Sequence, residues 1–254
     1  MAEPRIYSRN WVDANDLYTS THGGVTSYLY DRATSQQFSS TGANSDATTF
    51  EITIEFYEGG VSQYRTIDTL FLLNHNLKTW TLYYWNGSVW TSATSQAADA
   101  TTSRYVSFGS VSCTKVKLSA TATMTPNQEK SIGEIVLCGT TLAAADIASY
   151  DTKWREKTKE VVLGDGSIHR VLTRAVSGRN GRYEARCRWT YLTKSQRDAL
   201  KAIKEAGQPF LWQPESVTVP EEVYYVHWAN TWDDKYMSNY KGAGYEVVVD
   251  LKEV

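Results

Sequence analysis

Cysteine is scarce in this chain of 254 residues, and none of it is spaced as in a metal site. The three cysteines, Cys113, Cys138 and Cys187, form no CxxC or CxxH pattern, which excludes a zinc-finger type of site. We expect three buried thiols, because nothing at the N-terminus directs the chain to an oxidising compartment. A Cys113–Cys138 bridge is the alternative, since both residues lie in predicted strands.

Long hydrophobic runs are also absent. The longest aliphatic run, Leu70 to Leu73, is far too short to cross a membrane. The first eleven residues, MAEPRIYSRNW, contain no apolar segment of the kind found in signal peptides. The sequence therefore predicts neither a membrane span nor a signal peptide.

Motifs of catalysis are missing as well. No serine lies in a nucleophile elbow, and the segments Gly164-Asp165-Gly166 and Gly242-Ala243-Gly244 lack the third glycine of a phosphate loop. The four histidines stand far apart, without a second His or Cys at metal-ligand spacing: His22, His75, His169 and His227. We therefore expect no enzyme and interpret the histidines as structural or surface residues.

Charge is nearly balanced overall but unevenly distributed. The net charge of −2 gives no reason to expect a nucleic-acid partner. Residues Thr152 to Lys204 contain 14 Lys and Arg against 5 Asp and Glu, whereas Glu205 to Val254 contain 3 against 9. Either these stretches neutralise each other within one domain, or they form complementary surfaces that steer subunits together.

The first half of the chain has the patterns of an all-β domain, which we place at residues 1–140. Phe50 to Phe56 alternate apolar and polar residues, and Ile67 to Leu73 are more evenly apolar. Asn86-Gly87 is a strong signal for a two-residue hairpin turn. We expect a polar loop over Thr91 to Ser103 and strands around the turn and beyond it: Trp80 to Trp85, Val89 to Thr91, Tyr105 to Phe108, Thr114 to Leu118 and Ile132 to Cys138. A jelly roll or similar sandwich is the predicted fold.

The second half has a different pattern. An Ala-rich stretch at residues 141–151 is predicted to connect the jelly roll to an α+β domain at residues 152–254. That domain begins with a predicted hairpin around Gly164-Asp165-Gly166. A long strand follows, with alternate residues on one face: Tyr183, Ala185, Cys187, Trp189 and Tyr191.

The last sixty residues contain the one predicted helix. Thr193 is a suitable N-cap with Gln196 at the capping-box position, and Gly207 is placed to end the helix. Strands are predicted afterwards at three places, with a long aromatic loop over Ala229 to Gly244: Phe210 to Trp212, Val223 to Trp228 and Tyr245 to Leu251.

Two groups of aromatic residues are the candidate binding surfaces. Tyr83, Trp85 and Trp90 lie on the predicted hairpin, where a flat ring stacks on a sugar, although such residues also fill the core or cover the edge of a sandwich. The second group, in the predicted loop, favours a subunit interface, with packing on its own domain or a ligand as alternatives: Trp228, Trp232, Tyr236 and Tyr240.

The order of motifs in the first half resembles a galactose-binding-like jelly roll of the discoidin class. The matching pieces are the Leu29-Tyr30-Asp31 loop, the segment Asn74-His75-Asn76-Leu77 and Gly133-Glu134-Ile135. In that family a loop and a late glutamate build a structural calcium site, which the resemblance carries to Asp31, Thr34 and Glu134. Arg32 beside this loop is electrostatically unfavourable for a cation, and no other cofactor is predicted.

The second half resembles a domain of bacteriophage and prophage tail proteins, in the order strand, Thr193 helix, Pro209-Phe210-Leu211-Trp212, strand, final strand. The resemblance implies a structural virion component of the tail tip, distal tail or baseplate, made in the host cytoplasm. Its partners would be other copies of itself and other tail proteins. The alternative function is a carbohydrate-binding protein that engages a host-surface glycan through the jelly roll.

Overall fold

The chain is described here by a computed structural model, which describes residues 4–32, 36–142, 147–155, 158–162, 168–172, 182–239 and 242–254. It is mainly β, which confirms the predicted fold class. One α-helix, α1 (Lys194–Ala206), and one 3₁₀ turn, Thr26–Leu29, lie among these residues. The strands, in chain order, are β1 Arg5–Tyr7, β2 Leu17–Ser20, β3 Phe38–Ser39, β4 Phe50–Glu55, β5 Tyr57–Glu58, β6 Val61–Ser62, β7 Arg65–His75, β8 Trp80–Trp85, β9 Trp90–Gln96, β10 Arg104–Cys113, β11 Lys115–Ala120, β12 Ser131–Cys138, β13 Thr140–Leu142, β14 Ile147–Arg155, β15 Thr158–Val162, β16 Ile168–Leu172, β17 Arg182–Leu192, β18 Phe210–Gln213, β19 Tyr224–Trp228, β20 Asp234–Asn239 and β21 Gly242–Glu253.

The chain divides into two compact units, one of residues Asn10–Thr140 and one of Met1–Arg9 with Thr141–Val254. The first is a sandwich of a five-stranded sheet, ordered β2-β4-β11-β8-β9, and a four-stranded sheet, ordered β10-β7-β12-β3. Strand β4 shows how the sequence produces such a sheet. Phe50, Ile52 and Ile54 are buried, while the residues between them are half-exposed. Alternation with a period of two turns one face of the strand to the core.

Two local predictions in this unit are wrong in detail. The predicted polar loop Thr91 to Ser103 is part of the edge strand β9 as far as Gln96, and only residues 97–103 lie outside a strand. The prediction missed β9 because an edge strand with little apolar burial lacks the alternation that reveals a strand. The hairpin itself is confirmed, but its turn is centred one residue later than Asn86-Gly87. Asn86 N donates to Val89 O at 3.2 Å, which leaves Gly87, with φ of 103°, and Ser88 at the centre of the turn.

The second unit contains a larger antiparallel sheet with the path β13-β1-β18-β19-β21-β17-β14, and β20 pairs with β21. The first residues of the chain, predicted as part of the jelly roll, instead supply β1, which pairs with β18. Parts of the predicted Ala-rich connector are likewise strands, β13 and the start of β14. The Ala-rich composition predicted a linker. Small residues give no apolar alternation, so the sequence does not reveal that this stretch pairs with distant strands.

The helix forms as predicted. Thr193 Oγ1 accepts a hydrogen bond from Gln196 N, the Gln196 side chain accepts one from Thr193 N, and Gly207 ends the helix in the left-handed conformation. Leu200 is buried in the core of this unit, with Ile203 packed against that core. No described helix has the length and apolar character needed to cross a membrane.

The basic and acidic stretches meet within this unit. Arg188 pairs with Glu246 at 2.7 Å and Arg197 with Asp234 at 3.1 Å, so residues of the basic stretch neutralise residues of the acidic one. The antiparallel pairing of β17 with β21 brings the first of these pairs together. The interpretation of mutual neutralisation within one domain therefore has support in the described residues.

The cysteine prediction is confirmed. Cys113, Cys138 and Cys187 are buried free thiols, and burial raises the pKa of the Cys113 thiol to about 12. Cys113 and Cys138 lie in β10 and β12, which flank β7 on opposite sides. An intervening strand keeps the two thiols from bridging.

Candidate functional site

The solvent-facing side of the five-stranded sheet carries the best candidate site. On β8, Trp80 and Leu82 are buried, and Tyr84 packs against the same core. Tyr83 and Trp85 must therefore project from the opposite face, since successive side chains in a strand alternate. Both are half-exposed.

The neighbouring strand adds two lysines to this face. On β11, Val116 and Leu118 are buried, which turns Lys115 and Lys117 outward. Lys117 is the cross-strand partner of Tyr83. On the other side of β8, the pairing of Trp85 with Trp90 brings in the second tryptophan from β9.

We call the five residues Tyr83, Trp85, Trp90, Lys115 and Lys117 the aromatic platform. The two indole rings meet at 67° with their centroids 5.4 Å apart, an edge-to-face arrangement. The Lys115 ammonium lies 5.0 Å from the Trp85 ring centroid, and the Lys117 ammonium lies 5.2 Å from Trp90 and 5.3 Å from Tyr83. Cation–π attraction at this range holds the rings in place.

An acidic side chain borders the platform. Lys117 Nζ lies 3.0 Å from Glu51 Oε1, in an ion pair whose side chains are 18% and 31% exposed. The platform therefore combines flat apolar ring surface with ammonium donors and carboxylate acceptors. These are the two kinds of contact that a sugar needs, because it presents C–H patches and hydroxyl groups together.

The structure brings together the three residues predicted to bind glycan, Tyr83, Trp85 and Trp90. Sequence reasoning missed Lys115 and Lys117, although the alternation of lysines with Val116 and Leu118 is visible in the printed sequence. That pattern gives the face on which each lysine lies, but not which strand lies beside it.

The structure describes two of the three residues of the predicted calcium site, Asp31 and Glu134. Asp31 is exposed after the 3₁₀ turn, Glu134 is buried in β12, and Thr34 lies outside the described residues. Arg32 has a φ of 62°, the left-handed conformation. Within the described residues, no group of three or more His, Cys, Asp or Glu side chains is placed to hold a metal ion. The calcium site stays a prediction.

Two of the four predicted subunit-interface residues, Trp228 and Trp232, pack within their own unit. Trp228 is buried in the core, and Trp232 packs partly against it while its indole N–H donates to Asp234 at 2.9 Å. Tyr236 is 60% exposed on β20, in a segment predicted as a loop. Tyr240 lies outside the described residues. Trp228 and Trp232 thus pack on their own unit, whereas Tyr236 is exposed, and the subunit interface stays a prediction.

A buried polar cluster surrounds His75, the middle residue of the Asn74-His75-Asn76 segment. His75 Nδ1 accepts a hydrogen bond from Leu77 N at 3.1 Å, which leaves the proton on Nε2, 3.9 Å from Asp99 Oδ2. That distance is too long for a hydrogen bond, and Asp99 instead accepts hydrogen bonds from the Trp80 indole N–H and the Thr101 backbone N–H. The cluster fastens the loop before β10, and His75 is the structural residue that the sequence predicted.

We expect this histidine to make the sandwich sensitive to mild acid. Burial lowers the pKa of His75 to about 4, below its value of about 6.5 in an unfolded chain. Between these values the unfolded state binds the proton and the folded state does not, so stability present above pH 6.5 is lost as the pH falls towards 4.

The test compares urea unfolding of wild type and His75→Asn, which keeps an acceptor near Leu77 N, from pH 7 to 4. Wild-type unfolding should take up about one more proton near pH 5 than unfolding of the variant. Burial raises the pKa of Asp16 to about 6, so protonation of Asp16 makes the folded state more stable as the pH falls. This contribution is the same in the wild type and in the variant, so it cancels in the comparison. Parallel pH profiles for the two proteins would show that His75 does not carry the effect.

Comparisons with known proteins find a likeness to solved structures. No protein-family model matches the chain, and neither does any curated protein. CpGH89CBM32-5 from Clostridium perfringens, in complex with GalNAc-β-1,3-galactose, is 17% identical with a TM-score of 0.41, over 48% of this chain and 94% of that chain. Chitosan-binding module 2 of a chitosanase/glucanase from Paenibacillus sp. IK-5, in complex with chitotriose, is 16% identical with a TM-score of 0.42, over 49% of this chain and 97% of its own.

A third structure is of the same kind. The family 32 CBM of NanJ from C. perfringens, in complex with galactose, is 12% identical with a TM-score of 0.43, over 53% of this chain and 98% of that chain. These three neighbours are carbohydrate-binding modules, and none of them is described as a tail protein. At such identities and TM-scores the likeness carries no argument about what this chain binds. The resemblance to tail proteins stays a prediction.

Proposed function

We propose that the unit of residues 10–140 binds carbohydrate through the aromatic platform. The observation that carries the proposal is the edge-to-face pair of Trp85 and Trp90 on the solvent side of the sheet, flanked by two ammonium groups. A large aromatic patch that is left half-exposed is unusual on a folded surface unless something covers it.

The chemistry of the platform suits a pyranose ring. An indole face buries the C–H patch of the sugar, which removes apolar surface from water on both partners. The Lys115 and Lys117 ammonium groups and the Glu51 carboxylate then donate to or accept from hydroxyl groups at the edge of the ring. The aromatic rings and the lysine side chains already contact one another, so binding a sugar should cost little side-chain conformational entropy.

Replacing either tryptophan should abolish most of this binding. We expect Trp85→Ala and Trp90→Ala each to weaken glycan affinity at least tenfold, or roughly 1.4 kcal/mol, because each removes one wall of the platform. The measurement is a glycan array with the wild-type protein, followed by calorimetry of the best ligand with each variant.

Tyr236→Ala is the matched control, because Tyr236 is an exposed aromatic residue of the other unit. It should bind as the wild type does, and the circular dichroism of every variant should be unchanged. An array without any retained glycan, or tryptophan variants with wild-type affinity, would refute the proposed function.

The tail-protein function rests on the order of segments in the second half alone. The charge complementarity that favoured subunit assembly is used within one unit by Arg188–Glu246 and Arg197–Asp234. No further contact in the described residues favours that function over carbohydrate binding.

A further inference from the structure

A line of side chains crosses the whole five-stranded sheet at the level of the two tryptophans. Leu17 on β2 is the cross-strand partner of Glu55 on β4, and Glu55 is the partner of Lys115 on β11. Lys115 faces Trp85, which is paired with Trp90. We call this line the cross-strand row. It spans five strands, which makes it roughly 19 Å wide.

The two ends of the cross-strand row are apolar and its middle is polar. Leu17 is 52% exposed at one end, and the tryptophans stand at the other. Glu55 and Lys115 are neighbours in the middle, yet they form no ion pair with each other, because the ammonium leans towards Trp85 instead. In the part of the chain that the structure describes, both charged groups keep hydrogen-bonding capacity towards solvent.

The charges of the row and of its neighbours cancel. Glu55 balances Lys115, and Glu51 is paired with Lys117. A ligand with a strong net charge would be attracted by one member of each pair and repelled by the other. A neutral ligand with many hydroxyl groups suits such an arrangement better.

Resting on the proposed function, we infer that the ligand is a neutral oligosaccharide of several sugars that lies across the strands. One sugar stacks on Trp85 and Trp90, the next places its hydroxyl groups between Lys115 and Glu55, and the chain continues towards Leu17. A single terminal sugar would cover only the tryptophan end of the cross-strand row.

Chain length is the measurement that tests this inference. The protein is run by affinity electrophoresis through gels that contain xylan, mannan, galactan or β-1,3-glucan, with hyaluronan as the anionic control. Oligosaccharides of one to six units from the retarding polysaccharide are then titrated by calorimetry. We expect retardation by a neutral polysaccharide and an affinity that rises roughly tenfold or more between the monosaccharide and the tetrasaccharide.

A variant in the middle of the row separates this inference from the proposed function. Glu55→Gln should weaken the tetrasaccharide several-fold and leave the monosaccharide unchanged, whereas Trp90→Ala weakens both. Equal affinity for monosaccharide and tetrasaccharide, or retardation by hyaluronan alone, overturns the extended-chain inference. Binding of a terminal sugar that still depends on Trp90 would leave the proposed function intact.

Discussion

Replacing Lys130 by methionine should destabilise the sandwich unit by roughly 3 kcal/mol. The side chain is fully buried, with an exposed fraction of 0%. Its ammonium donates to Ala43 O at 2.6 Å and to Ser45 O at 2.7 Å. Methionine preserves most of the volume and the apolar stem, but it leaves both carbonyl groups without this donor.

The electrostatic surroundings make the loss larger than that of two ordinary hydrogen bonds. Burial lowers the pKa of Lys130, and the nearby Asp46 carboxylate acts in the opposite direction. Asp46 itself accepts hydrogen bonds from Thr123 N and Asn127 N, both at 3.2 Å, so it ties the loop after β11 to the loop before β4. Without the ammonium, Asp46 loses the cation that balances it.

Urea unfolding of the full chain measures this effect, with hydrogen exchange to locate it. The Lys130→Met variant should unfold at lower urea, and amides of residues 40–47 and 121–131 should lose protection first. Lys78→Met is the matched control, because Lys78 is exposed and should change stability by no more than about 0.5 kcal/mol. A loss below about 1 kcal/mol for Lys130→Met would mean that water replaces the ammonium at little cost.

The sequence could predict an element where the residues that determine it lie close together in the chain. The β4 strand, the hairpin around Gly87 and the capped helix α1 are fixed by residues a few positions apart, and all three are found. Strand β1 is different, because its pairing with β18 joins residues about two hundred positions apart. No periodicity within RIY reveals such a partner.

The candidate site shows the same limit. The sequence placed Tyr83, Trp85 and Trp90 on one hairpin, but the predicted Asn86-Gly87 turn would set Trp90 opposite Tyr83, whereas the turn one residue later pairs it with Trp85. No local pattern shows that β11 lies beside β8, which is what brings Lys115 and Lys117 to the rings. Likewise, the aromatic residues around Trp228 were predicted at an interface because a loop was expected where β20 pairs with β21.

The Gly242-Ala243-Gly244 segment shows how a glycine can be required by a distant strand. It was rejected as a phosphate loop, and no other reason for its glycines was visible in the sequence. In the structure, a Cβ added at Gly244 would lie 2.6 Å from Cα and from C of Tyr191. Tyr191 has a φ of 60° and sits where the pairing of β17 with β21 shifts register between Trp189 and Leu192. The irregular strand thus approaches β21 so closely that only glycine fits.

We therefore expect Gly244→Ala to destabilise the second unit by roughly 3 kcal/mol, because the added methyl meets backbone atoms that cannot rotate away. Gly109→Ala is the control: Gly109 also lies at a register shift, in β10, but a Cβ there meets nothing within 4 Å. Its effect should stay within about 1 kcal/mol of wild type. Thermal and urea unfolding of both variants give the comparison. Equal stability of the two would show that the bulge at Tyr191 relaxes freely, whereas a large loss for Gly244→Ala alone would show that close approach of the two strands makes glycine necessary at this position.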